Sequence, residues 1–317
     1  MKLTRSLFAA LLLGFAFAAS SVAQDAAPAA PAPSPVAAEM RAIVAKIQAK
    51  MKANQVDATA LAPEIAEFDA LLAKFPEKND ETAQVALMKA MLYLQVLDDE
   101  VTGKKELAGI VQNYPGTKAA AQVGRILESI ERQAKAKETQ SKVIGTAAPM
   151  IDFDWASQDG LKSLADLKGK VVVIDFWATW CGPCIAAFPK IREEVAHFAG
   201  SPVVILGVTS LQGRVHGIEP KPVDVKGNPA KEYELTAEFM KKKEMTWPVA
   251  FSKQEVFNPE YGVIGIPHVA IIAPDGTVRH NGLNPLLPDA DIEGKVTALL
   301  QEFKLPVPAA KAPAAGE

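Results

Sequence analysis

Trp180-Cys181-Gly182-Pro183-Cys184 is the stretch on which the reading of this chain turns. Its two cysteines are the only ones in 317 residues. The apolar run Lys170-Val171-Val172-Val173-Ile174-Asp175-Phe176 precedes them and an amphipathic run, Ile185 to Phe198, follows. This order predicts strand, turn and helix, with Cys181 at the helix start. A thiol there meets the positive end of the helix dipole and unpaired backbone N–H groups, which favour the reactive thiolate. Pro183 has no N–H, so the first donor expected at the Cys181 sulfur is the amide of Cys184. Structural zinc needs four Cys or His ligands at paired spacings. A single Cys pair and four scattered histidines do not supply them, and no metal is expected. A structural disulfide over so short a loop would constrain the unfolded chain little. Redox chemistry is the reading that remains.

The segment Asp175-Phe176-Trp177-Ala178-Thr179-Trp180-Cys181-Gly182-Pro183-Cys184, with its lead-in Gly169-Lys170-Val171-Val172-Val173, resembles the active-site region of the thioredoxin superfamily. It is most similar to exported thiol–disulfide oxidoreductases of the TlpA/ResA type, over about residues 145–304. The resemblance implies an α/β thioredoxin-like domain, a central mixed sheet flanked by helices. It also implies a cis Ile266-Pro267 bond opposite the dithiol, where the Ile266 backbone pairs with an extended substrate chain. Two departures stand out. The family's usual Glu three residues after the second cysteine is Ala187 here, and its usual Arg just after that cysteine is Ile185. The site has lost a carboxylate and a cation, which argues against a narrow role in cytochrome c maturation.

Composition sets the frame. At 49% hydrophobic and 22% charged the chain has the make-up of a globular protein, and with a net charge of -3 nothing points to a nucleic-acid or anionic-membrane partner. Residues 1–23 read as a secretory signal: Lys2 and Arg5, an apolar core from Leu7 to Ala19, and Ser21-Val22-Ala23 before a cleavage point after Ala23. The expected address is a periplasm or another exported site, with membrane attachment only if the signal is uncleaved. An Ala/Pro-rich linker is expected over 24–36, and a disordered tail over 305–317.

Between them, residues 37–142 carry helical periodicity and predict an all-α domain. Met40, Ile43, Val44, Ile47 and Met51 share one face, and Leu61, Ile65, Phe68, Leu72 and Phe75 another. Further helices are expected over 81–97, 103–112 and 117–137. The recurrence of Phe75-Pro76 as Tyr114-Pro115 gives a faint tetratricopeptide-like signature beside an ordinary bundle. In the second domain, Ala148 to Phe153 predicts a short strand and Ser163-Leu164-Ala165-Asp166 a helix cap. Pro202 to Val208 predicts a buried strand and Pro274-Asp275-Gly276 a hairpin turn. Residues 211–231 break all periodicity and read as an insertion, either functional or disordered.

The expected chemistry is thiol–disulfide exchange. Cys181 attacks a protein disulfide and Cys184 resolves the mixed disulfide. Asp175, at the end of a buried strand, is expected to have a raised pKa and to take the Cys184 proton. Trp180, Gly182, Pro183, Ile266 and Pro267 are expected to form the substrate-contacting surface. His268, beside the proline, is a further candidate near the dithiol. No cofactor is expected. The Gly-Pro dipeptide resembles that of reducing thioredoxins, so the implied partners are a protein disulfide substrate and a membrane thiol-electron transporter as reductant. Two alternatives stay open: a peroxiredoxin-like peroxidase, and a partner-binding protein acting through the helical domain. The first is disfavoured because Thr179 stands at the wrong offset from Cys181 and no proline accompanies it.

Overall fold

The computed structural model describes residues 33–309, so the expected signal at 1–23, most of the linker and the end of the tail lie outside the described residues. The chain forms two compact units that divide between Ile130 and Glu131.

The first unit is helical: α1 (Pro35–Lys52), α2 (Ala58–Lys74), α3 (Asp80–Gln95), α4 (Glu100–Asn113) and the start of α5 (Lys118–Val143). Each of the first four begins on a side chain that accepts an orphan backbone N–H: Ser34, Asp57, Asn79 and Asp99. Pro35 and Val36, assigned to the linker by composition, are instead the first turn of α1. Ser34 caps that turn, and proline fits a first turn because its missing N–H is an orphan there anyway. Phe75 and Tyr114 close α2 and α4, where the Phe-Pro and Tyr-Pro pairs placed the breaks. α3 is buried from Thr82 to Leu92 except at Gln84, which makes it the central helix of this core. Its Lys89 is tolerated because Asp69 and Glu106 pair with its ammonium at 2.7 and 3.2 Å. α5 runs beyond the expected end at Lys137, since no glycine or proline lies between Lys137 and Gly145.

The second unit is a six-stranded mixed sheet in the order β1 (Phe153–Ala156), β6 (Val249–Ser252), β3 (Val203–Thr209), β2 (Val171–Phe176), β7 (His268–Ile272) and β8 (Val278–Leu283). β2 pairs parallel with β3 and antiparallel with β7. Every residue of β2 is buried, as its run of β-branched residues demands. Its side chains alternate between two cores. Val171 and Val173 enter one, with Cys181, Cys184, Phe188 and Trp247. Val172, Ile174 and Phe176 enter the other, with Tyr261 and Ala270. Helices α6 (Gly182–His197), α7 (Pro229–Lys242) and α8 (Ile292–Glu302) complete the layers. This is the thioredoxin-like arrangement expected.

Two expectations for this unit need correction. The strand expected over 148–153 begins only at Phe153. Upstream, Ala147 and Asp152 make single bridges, and Pro149 between them has no N–H for a ladder. Leu305, expected in the tail, donates its N–H to the Leu300 carbonyl at 2.8 Å and packs on the dithiol-side core. The insertion is ordered: β4 (Arg214–Val215) and β5 (Val223–Asp224) pair, and Val215, Val225 and Leu235 give it a small core. Its entry is pinned by the Glu232 carboxylate, which accepts the N–H groups of Gln212 and Gly213 at 2.6 and 3.0 Å.

Candidate active site

β2 delivers the chain to the site and α6 receives it. Cys181 is the N-cap residue of α6, with extended backbone (φ -81°, ψ 94°). Its sulfur accepts the N–H of Cys184 at 3.2 Å, the donor expected once Pro183 had been discounted. Gly182 and Pro183 form the exposed first turn. The two sulfurs are joined as a disulfide. The Ile266-Pro267 bond is cis, and the Ile266 carbonyl oxygen stands 3.6 Å from Cys181 Sγ. The dithiol, Ile266 and Pro267 are thus brought together from positions far apart in the chain. Cys181 is only 3% exposed in this oxidised form. The accessible rim consists of Trp180, Gly182 and Pro183.

Asp175 shares strand parity with Val171 and Val173, so its carboxylate points into the core that holds both cysteines. It is fully buried between Gly207 of β3 and Val269 of β7, neither of which brings a charge or a side-chain donor. Neither carboxylate oxygen has a hydrogen-bond partner among the described residues. Burial therefore acts unopposed, and the pKa rises from 3.8 to about 7.

His268 lies elsewhere. It shares parity with Ala270 and Ile272 and faces the core opposite the dithiol. Its Nε2 is 2.8 Å from Asn281 Oδ1 and its ring meets Phe176 edge-on. Burial lowers its pKa, so it is a neutral packed imidazole.

Sequence reasoning missed the residues that support the rim. Trp180 donates its indole N–H to Gln212 Oε1 at 2.9 Å and stacks obliquely on Phe257. The His216 N–H donates to Thr179 Oγ1 at 3.1 Å. The insertion thus grips the two residues that precede Cys181. Gln212 carried no signal because its segment has no periodicity. Phe257 carried a weak one, as a large apolar residue among polar neighbours.

Residues 144–299 match the Redoxin family. The chain is 28% identical over 139 residues to the thiol-disulfide oxidoreductase ResA of Oceanobacillus iheyensis, covering 43% of this chain and 62% of that protein. It is 29% identical over 115 residues to ResA of Bacillus subtilis, covering 36% and 54%. It therefore spans less than two thirds of the length of either relative. A solved thiol:disulfide interchange protein from Bacteroides sp. superposes with a TM-score of 0.38 at 19% identity, over 54% of this chain and 95% of the other. With the Cys-Gly-Pro-Cys helix start and the Ile-Pro loop facing it, residues 144–299 form a thioredoxin-like domain that matches the Redoxin family and is similar to the ResA thiol-disulfide oxidoreductases.

Proposed function

We propose that this protein is an exported oxidoreductase that reduces disulfides in other proteins. The observation that carries the reading is the placement of Cys181 Sγ at the start of α6, under the Cys184 amide and beside the Ile266 carbonyl. In the reduced protein the helix terminus holds negative charge on Cys181. The thiolate attacks one sulfur of a substrate disulfide. That bond breaks, one substrate thiol leaves, and a mixed disulfide forms on Cys181. Asp175 takes the proton of Cys184, whose thiolate then attacks Cys181 Sγ and expels the second substrate thiol. Two electrons pass to the substrate, Asp175 returns the Cys184 proton to one leaving thiolate and water protonates the other, and the enzyme is left as the disulfide.

Ile266, Pro267, Trp180, Gly182 and Pro183 form the surface a substrate segment meets, with the Ile266 backbone as a short strand edge. Return to the dithiol requires a thiol donor, and for an exported protein that donor is a membrane thiol-electron transporter. The signal-like residues 1–23 support export. Loss of the family's carboxylate and cation at Ala187 and Ile185 argues against a narrow role on an apocytochrome.

The test is a trap. Reduced wild-type protein should convert a disulfide-bonded protein to its dithiol, with stoichiometric oxidation of Cys181 and Cys184. Cys184→Ala should stop at a covalent adduct on Cys181, and Cys181→Ser should give neither product. Wild-type protein that releases no substrate thiols, with no adduct on the Ala variant, would overturn the proposal.

A further inference from the structure

A groove of about 510 Å³ opens beside the site within the second unit, between the last turns of α5 and the segment that leads to the Ile-Pro loop. Phe257 and Ile264 line it and are 40% and 44% exposed. Exposed apolar side chains gathered in a concavity mark a contact surface more than scattered ones do. The groove is continuous with the dithiol in two ways. Phe257 lies 6.3 Å, ring to ring, from Trp180, the neighbour of Cys181. Ile264 is two residues before Ile266, whose carbonyl touches Cys181 Sγ. The opposite wall comes from α5, where Arg132 and Lys135 are the charged lining residues and both are exposed. Neither is in a salt bridge among the described residues; Lys135 interacts at longer range with Glu138, whose direct partner is Lys142. A cationic wall on a chain of net charge -3 is local, not part of a general basic coat.

We infer that this groove seats the substrate polypeptide next to its disulfide and selects segments with an apolar residue flanked by acidic ones. The inference rests on the oxidoreductase reading and names the substrate class for the same site. A chain laid along Ile266 as an added strand carries its next side chains past Ile264 and Phe257, within reach of Arg132 and Lys135. Apolar contact would hold the segment, and the cations would set its rate of encounter and its charge preference.

The test uses two short peptides, each carrying one Cys in a mixed disulfide with a chromophoric thiol. They are identical except for Asp-Asp or Lys-Lys beside a leucine that flanks the Cys. Reduced wild-type protein should cleave the acidic peptide about five- to tenfold faster at low salt, and the ratio should shrink towards one as salt screens it. Arg132→Glu combined with Lys135→Glu, two exposed positions, should invert the order of the peptides. Phe257→Ala should slow both while keeping the ratio. Equal rates in wild type, a preference for the basic peptide, or an unchanged ratio in the charge-reversed variant would each overturn the inference. Wild-type protein that cleaves neither peptide overturns the oxidoreductase reading and this inference together.

Discussion

Replacing Asp175 with asparagine should change how stability depends on pH more than it changes stability itself. In the folded protein the carboxyl titrates at about 7, against an ordinary 3.8, because burial penalises the charged form and nothing nearby offsets it. The fold therefore holds that proton more tightly than the unfolded chain does. The stability this proton confers is fully present below about pH 3.8 and is lost as pH rises through about 7. Each pH unit of that interval is worth about 1.4 kcal/mol, so the whole effect has a ceiling of about 4 kcal/mol. The part that falls between pH 5 and pH 8 is about 2 to 3 kcal/mol, less whatever local relaxation recovers. The assay is denaturant unfolding of the oxidised protein at those two pH values and constant ionic strength, followed by aromatic circular dichroism. The asparagine carries its own buried-amide penalty, but that penalty is the same at both pH values and cancels. Wild type should lose about 2 to 3 kcal/mol more than Asp175→Asn between pH 5 and pH 8. Parallel losses would refute the argument, because they would mean that the carboxylate is already solvated or paired. The same variant bears on catalysis: resolution of the mixed disulfide by Cys184 should lose its inflection near pH 7. An unchanged profile would remove Asp175 from the proton path.

Alkylation of the reduced protein should give Cys181 a midpoint about one to two units below a free thiol's 8.5. Cys184, inside the first turn and without an amide donor at its sulfur among the described residues, should react far more slowly; equal midpoints or equal rates would speak against helix-start activation. Gly262→Ala should cost the second unit about 2 kcal/mol or more in denaturant unfolding, since Gly262 has φ 65° and an added Cβ would lie 2.5 Å from the Ala136 carbonyl oxygen. A loss within experimental error there would show that this stretch of backbone yields easily. Asn281→Ala should cost about 1 to 3 kcal/mol, because Asn281 joins the His268 ring to the Tyr261 carbonyl and its removal orphans both. A stability equal to wild type would mean that water replaces it.

What was legible in the sequence was what local chemistry specifies. The apolar run of Val171 to Phe176 identified a buried strand, and the missing N–H of Pro183 singled out the Cys184 amide as the donor to sulfur. The order of the aromatic-proline breaks placed the ends of α2 and α4. What was not legible depended on contacts distant in the chain. His268 follows the cis-proline, so it was a fair candidate, yet one residue of strand parity turns it to the far core. The insertion has no repeat to read. Its order comes from two backbone N–H groups on the Glu232 carboxylate, more than eighteen residues downstream. Pro35 and Val36 have linker composition, and the Ser34 cap and the burial of Val36 in the helical core make them helical. Arg132 and Lys135 carried no signal of their own in the sequence, because only the fold sets the 257–264 segment against them.

The grip on Trp180 has a practical consequence. Of the four tryptophans, Trp177 and Trp247 are buried and Trp155 is half-buried under Tyr233, whereas Trp180 is 41% exposed. A collisional quencher in solution would therefore act chiefly on a single indole, tethered on one side to Gln212 of the insertion and resting on the other against Phe257. Emission from that ring would register the arrival of a bound polypeptide and any displacement of the insertion, with no label attached to the protein.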